Sequence, residues 1–230
     1  MNQQLPLGLK LRSSARFENF VAGDNQELVD QLQRLARGEG DRFFLCHGDE
    51  GLGKTHLLQA CCHLAASRGC SAGYLSLNDA VALTPHVLEG WEQFDLVSLD
   101  NVQVIAGRSN WEEAMFHLYN RIRDREGRLV VSTSAAPAQC GFELPDLVSR
   151  LGWGLTYQVA PLDDSQRLEA LQLRARQRGC EIPDETGRFL MRRMPRDMPV
   201  LFEMLDRLDE ASLVAKRRLT VPFVKSVLGL

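Results

Sequence analysis

Apolar residues along this chain gather in two kinds of run. Five are short and nearly unbroken, at 43–46, 73–77, 96–99, 129–132 and 155–159. Runs without alternation suit strands buried on both faces. Between them, 54–67, 79–88, 111–125 and a short piece at 143–150 carry helical patterns. Strands alternating with helices predict βαβ units, a five-stranded parallel sheet between helices, and ligands at the carboxyl edge of the strands.

The pattern changes after Pro161. Segments 165–178, 184–194, 198–214 and 221–227 all read as helices, with Pro183, Pro199 and Pro222 near their starts, where proline is tolerated. The expected organisation is therefore an α/β domain at 15–161 followed by a small all-helical domain at 162–230. The segment 1–14 stands apart as an extended tail.

Composition narrows the class. The chain has 230 residues, 44% hydrophobic and 25% charged, the profile of a globular protein. No apolar run approaches the roughly 20 residues of a membrane helix, and the first dozen residues lack the layout of a secretory signal. The six cysteines show no Cys-x-x-Cys spacing, so reduced thiols in a cytoplasmic protein are expected. A formal charge of −3 does not suit a strong nucleic-acid binder, and Lys216-Arg217-Arg218 reads as the solvated side of a helix.

The chemistry lies after the first strand. Gly48-Asp49-Glu50-Gly51-Leu52-Gly53-Lys54-Thr55 matches G-x-x-x-x-G-K-[ST] between an apolar strand and a helix. The glycines let successive N–H groups converge on phosphate oxygens. Lys54 is expected to bridge the outer phosphates and Thr55 to place its hydroxyl on Mg²⁺, with the helix N-terminus adding favourable charge. Leu52 and His56 complete the candidate nucleotide loop. Downstream, the strand at 96–99 ends in Asp100, a carboxylate that would hold Mg²⁺ through water. Asn101 follows it. An amide can orient water but cannot accept its proton, so intrinsic hydrolysis is expected to be weak or nil. Glu112 and Glu113 could compensate, but both read as positions on a solvated helix face.

These residues resemble a known family. The loop, Asp100-Asn101-Val102-Gln103, the string 17–23, the string 116–120, and Ser149-Arg150-Leu151-Gly152-Trp153-Gly154-Leu155-Thr156 are similar to the ATPase domain of the bacterial replication initiator DnaA, an AAA+ family. The resemblance runs from about residue 15 onward. The chain departs from the initiators in ending at Leu230, where a lid domain should end, and in carrying Asn101 in place of a second acid. It thus resembles the family's short regulatory members. These act with the DNA-loaded sliding clamp and provoke hydrolysis of ATP bound to the initiator. The resemblance implies ADP, or another nucleoside diphosphate, with Mg²⁺ as the bound species. It implies Arg150 as an arginine finger toward a neighbouring subunit, Arg196 as a second sensor, and Phe20 beside the adenine. A first sensor is implied near Ser132, Thr133 or Ser134. Homodimers or larger oligomers are compatible with it, and sequence-specific DNA binding and membrane binding are not expected.

Gln4-Leu5-Pro6-Leu7-Gly8-Leu9 resembles the short peptides that dock on the sliding clamp. Gln4 offers hydrogen bonds, while Leu5, Leu7 and Leu9 suit an apolar groove. The leading expectation is a negative regulator of replication initiation. An ATP-hydrolysing helicase loader or remodeller is the alternative, and a small-molecule kinase leaves the Gly-Trp-Gly string unexplained. Trp91, Trp111 and Trp153 read as packing anchors.

Overall fold

The computed structural model describes residues 11–229, which leaves the candidate clamp-docking residues Gln4, Leu5, Leu7 and Leu9 outside the described part. The chain divides into two compact units. One holds the described residues up to Glu18 together with Asn25–Val159, and the other holds Asn19–Asp24 and Ala160 onward.

The first unit contains α1 (Gln26–Ala36), β1 (Phe43–His47), α2 (Lys54–Ser67), β2 (Ala72–Ser76), α3 (Leu77–Ala80), β3 (Leu96–Asp100), α4 (Ser109–Asp124), β4 (Arg128–Thr133), α5 (Pro145–Leu151) and β5 (Leu155–Gln158). The strands form one parallel sheet in the order β2-β3-β4-β1-β5. Each inner strand is apolar because helices cover both faces, and β3 is buried at every position. β5 differs: it lies at the edge and alternates half-buried with exposed residues. The order sets the site, because β4 sits between β1 and β3. The loop after β1, the last residue of β3 and the last residues of β4 therefore share one edge.

Several expectations change. Segment 79–88 is not one helix. It breaks into α3 and a 3-10 turn at Pro85–Leu88, because Pro85 cannot supply the amide that a continuous helix would need. α1, with no counterpart in the sequence reading, buries Leu28, Val29, Leu32, Leu35 and Ala36 on one face. Glu112 is not solvated but fully buried, with 0% exposure.

The second unit packs α6 (Asp164–Gln177), α7 (Asp184–Arg193), α8 (Met198–Ala215) and α9 (Val221–Leu228) around Leu171, Leu190, Leu201, Leu205, Leu208 and Val224. A capping box starts α6: the Gln166 amide donates to Asp163 Oδ1 at 2.8 Å and the Asp163 amide donates to Gln166 Oε1 at 2.9 Å. Arg178 joins α6 to α8 by ion pairs with Asp206 (3.1 Å) and Asp209 (2.7 Å). Lys216, Arg217 and Arg218 lie past the end of α8, with Lys216 in the left-handed region, and so are not the side of a helix. Among the described residues no helix is long and apolar enough to cross a membrane, and all six cysteines are free thiols.

Candidate functional site

The loop between β1 and α2 is shaped by its glycines. Gly48, Gly51 and Gly53 have φ of 144°, 82° and 90°, a region that side-chain-bearing residues rarely enter. At Gly48 an added Cβ would also lie 3.0 Å from Leu52 Cδ1 and 3.2 Å from the Val159 carbonyl oxygen. The loop thus turns tightly over the end of β1 and delivers the chain into the first turn of α2.

Lys54 heads that turn and is 8% exposed. Its ammonium donates to the carbonyl oxygens of Gly48 (2.6 Å) and Asp49 (2.7 Å). Burial pushes its pKa down from 10.5, opposed by the carboxylates of Asp100, Asp49 and Glu50. The charge is thus held inside a loop that already curls around it. Cys46, beneath the loop, is an inert thiol whose pKa burial pushes up to about 12.

Asp100 closes the site from β3 and is 1% exposed. Three hydroxyls converge on its carboxylate. Thr55 donates to Oδ2 at 2.6 Å, Tyr74 donates to the same oxygen at 2.8 Å, and Ser132 donates to Oδ1. Ser132 also accepts the Asn101 amide at 2.9 Å, fixing the turn in which Asn101 takes a left-handed conformation (φ 60°) that asparagine tolerates. Burial first, then the Asp100 carboxylate, raises the Tyr74 pKa, so this phenol stays a donor. Sequence reasoning missed Tyr74, whose only signal was a polar tip near the end of an apolar strand. Of the three residues weighed for the first sensor, Ser132 touches Asp100, Thr133 donates to the Ala135 carbonyl, and Ser134 is exposed.

The donor set fits a phosphate-bound divalent cation. Thr55 and Asp100 would hold Mg²⁺, mostly through its waters, and Lys54 with the loop amides would hold the phosphates. The cation would supply charge neutralisation at the phosphate oxygens.

The remaining candidate residues make contacts of their own. The His56 ring donates through Nε2 to the Arg16 carbonyl at 2.7 Å, and His63 does the same to Arg12 at 3.0 Å, strapping the segment before Phe17 along α2. Phe20 and Arg196 belong to the second unit. Phe20 is half-buried there. Arg196 is exposed and 3.3 Å from Asp164. Arg150 lies in the last turn of α5, its guanidinium carbon 4.9 Å from the centre of the Trp153 ring. Trp91 and Trp111 are buried as expected, but Trp153 is 62% exposed and is no packing anchor.

Glu112 organises the entry to α5. Its Oε1 accepts the amide of Gly107 (2.7 Å), and its Oε2 accepts those of Glu143 (3.0 Å) and Leu144 (2.7 Å). A carboxylate committed to three backbone amides is a structural acceptor. Glu113, one residue on, is exposed.

A phosphate loop after the first strand, an acid closing the third, the strand order 2-3-4-1-5 and a trailing four-helix unit define an AAA+ nucleotide-binding protein. The sequence matches the bacterial DnaA ATPase domain family over residues 11–158 and the family of the Hda lid domain over residues 164–228. The chain belongs to the DnaA ATPase-domain family and carries an Hda-type lid. Among solved structures it is similar to domain III of the Thermotoga maritima replication initiation protein DnaA. That match has a TM-score of 0.83 and 23% identity, covering 96% of this chain and 98% of the other. AMPPCP-bound DnaA from Aquifex aeolicus matches with TM-score 0.72 and 24% identity, over 85% of this chain and 65% of that one. The Thermotoga maritima RuvB branch-migration motor matches at TM-score 0.68 and 18% identity, over 93% and 73%.

Proposed function

We propose that this chain is a negative regulator of replication initiation that acts on a DnaA-type initiator. It binds ADP or another nucleoside diphosphate with Mg²⁺ at Gly48–Thr55 and Asp100. It docks on the DNA polymerase sliding clamp through Gln4, Leu5, Leu7 and Leu9, and presents Arg150 to ATP held by the initiator. Water then attacks the terminal phosphorus and the bond to the bridging oxygen breaks, leaving initiator-bound ADP and phosphate. A guanidinium that neutralises charge on the transferred group is worth about 10³ to 10⁵ in rate.

The observation that carries this reading is the unequal equipment of the chain's own site. The loop, Lys54 and the Thr55–Asp100 pair are those of a binder. At the position after Asp100, where an acid could activate water, stands Asn101. Glu112, the acid that could have substituted, is engaged with the amides of Gly107, Glu143 and Leu144. Arg150 meanwhile stacks on an exposed indole. Binding without efficient turnover, beside an available guanidinium, suits an activator in trans. For residues 4–9, outside the described part, the support is the sequence motif alone.

The test loads a DnaA-type initiator with labelled ATP, adds clamp-loaded DNA, and supplies this chain or its Arg150→Ala variant. Conversion to ADP that needs the clamp and disappears in the variant is the expected result. Conversion indifferent to both overturns the reading. Assembly of this chain into ATP-dependent rings or filaments in sedimentation, with rapid turnover of its own ATP, would favour a helicase loader or remodeller instead.

A further inference from the structure

A large aromatic residue in the open needs an explanation, and at Trp153 the surrounding backbone supplies half of it. Gly152 closes the last turn of α5 by donating to the Val148 carbonyl at 3.1 Å, and the Trp153 amide donates to the Arg150 carbonyl at 3.2 Å. Gly154 then meets β1 so closely that a Cβ there would collide with the Phe43 carbonyl, lying 2.6 Å from its carbon. Trp153 lies in the bend between the end of α5 and β5, with Gly154 pressed against β1 after it, and is 62% exposed. The Gly-Trp-Gly string is thus a device for displaying an indole at the end of the helix that carries Arg150.

The other half is what covers the indole. The guanidinium carbon of Arg150 lies 4.9 Å from the ring centre, and that of Arg123, from the last turn of α4, lies 6.0 Å from it. Both fall within the range of attraction between a cation and a ring face. Arg123 is also tied to Asp124 at 3.0 Å, whereas among the described residues no carboxylate pairs with Arg150. An arginine side chain loses much rotamer freedom when it is fixed, and a contact that fixes it in advance spares that loss at the moment of reaction.

We propose that Trp153 is the positioning residue for Arg150: its indole face holds the guanidinium in one stacked orientation, ready for a phosphate carried by another chain. The inference rests on the trans role of Arg150 given above and adds a residue that touches no reacting atom. Indole and guanidinium are also the side chains most often decisive at the centre of protein interfaces, so the pair suits a surface that a partner covers. Once water is excluded the stack strengthens.

The experiment measures conversion of initiator-bound ATP at increasing concentrations of this chain as wild type, Trp153→Phe and Trp153→Ala, with clamp-loaded DNA present. Because Trp153 is exposed, the variants are expected to fold, and thermal unfolding checks this. The expected result for Trp153→Ala is a rate at saturation lower by about fivefold to thirtyfold, the span between exposed and desolvated cation–ring contacts. Its half-saturating concentration should stay within about threefold of wild type, and Trp153→Phe should recover most of the rate. The nitrogen-bound Nε proton of Arg150, followed by NMR in the full chain, should show a ring-current shift that Trp153→Ala abolishes. A saturating rate equal to wild type in Trp153→Ala, or an Arg150 resonance indifferent to it, overturns the proposal while leaving the trans role intact. Weakened half-saturation with an unchanged saturating rate makes Trp153 a docking residue only, and also overturns it. Absence of conversion with the wild-type chain overturns the function itself, and the positioning role with it.

Discussion

Glu112 offers the sharpest test of how the first unit is held together. Its carboxylate is fully buried and accepts three backbone amides, from Gly107 before α4 and from Glu143 and Leu144 at the start of α5. Replacement by alanine leaves those three donors without their acceptor and opens a cavity. A hydrogen bond to a charged group contributes about 1.5–3 kcal/mol, and an unmet buried donor costs about 1–3 kcal/mol. Three such losses would add to about 4.5–9 kcal/mol, but the amides are only partly buried and can recover some water, so about 3–5 kcal/mol is expected. That is a large share of the roughly 5–15 kcal/mol of a typical domain. Glu112→Gln keeps the shape and one oxygen, but turns an NH₂ group toward an amide donor, and about 2 kcal/mol is expected. Urea unfolding at neutral pH, followed by the fluorescence of buried Trp91 and Trp111, measures both variants. Glu113→Ala, at the exposed neighbouring position, is the control and should change stability by less than about 0.5 kcal/mol. If Glu112→Ala unfolds within about 0.5 kcal/mol of wild type, the carboxylate is not what secures the entry to α5.

Gly154→Ala places a methyl group against the Phe43 backbone, which cannot move without disturbing the β1–β5 pairing, so a loss of about 3 kcal/mol or more is expected in thermal or urea unfolding. Gly69→Ala, where a Cβ meets nothing within 4 Å, isolates the cost of a positive φ (80°) and should be milder. His47, at the end of β1, has its pKa lowered from the ordinary 6.5, by burial first and then by the Lys54 ammonium. The unfolded chain therefore takes up a proton near pH 6.5 that the folded chain resists, and stability should fall as pH drops below that value. His47→Asn should flatten this part of the curve, and an unchanged pH dependence would remove His47 as its cause.

Much of the architecture was legible because it rests on local rules. The loop 48–55 could be read from residue types, since glycine, lysine and threonine at that spacing answer to backbone conformation and phosphate chemistry. α2 falls on 54–67 as read, and the helices of the second unit lie within a residue or two of their expected bounds, because apolar spacing and prolines near the starts mark them. Asp100 was identifiable as the polar end of an apolar strand. The DnaA-family resemblance lay in the same short strings.

What the sequence could not decide were contacts between residues far apart along the chain. Tyr74 and Ser132 reach Asp100 only because the order β2-β3-β4-β1-β5 puts their strands on either side of β3. Glu112 read as a solvated position because its helical pattern gives no hint of the three amides, one before α4 and two at the start of α5, that draw it inward. Trp153 read as core because tryptophan usually is, yet the approach of Gly154 to Phe43 turns it out beneath Arg150. By itself, then, the sequence determined most of the strands and helices and the phosphate loop, whose causes lie within a few residues of one another. The setting of Asp100, the burial of Glu112 and the display of Trp153 were decided by tertiary structure, because each depends on which distant backbone atoms the fold brings within hydrogen-bonding or steric reach.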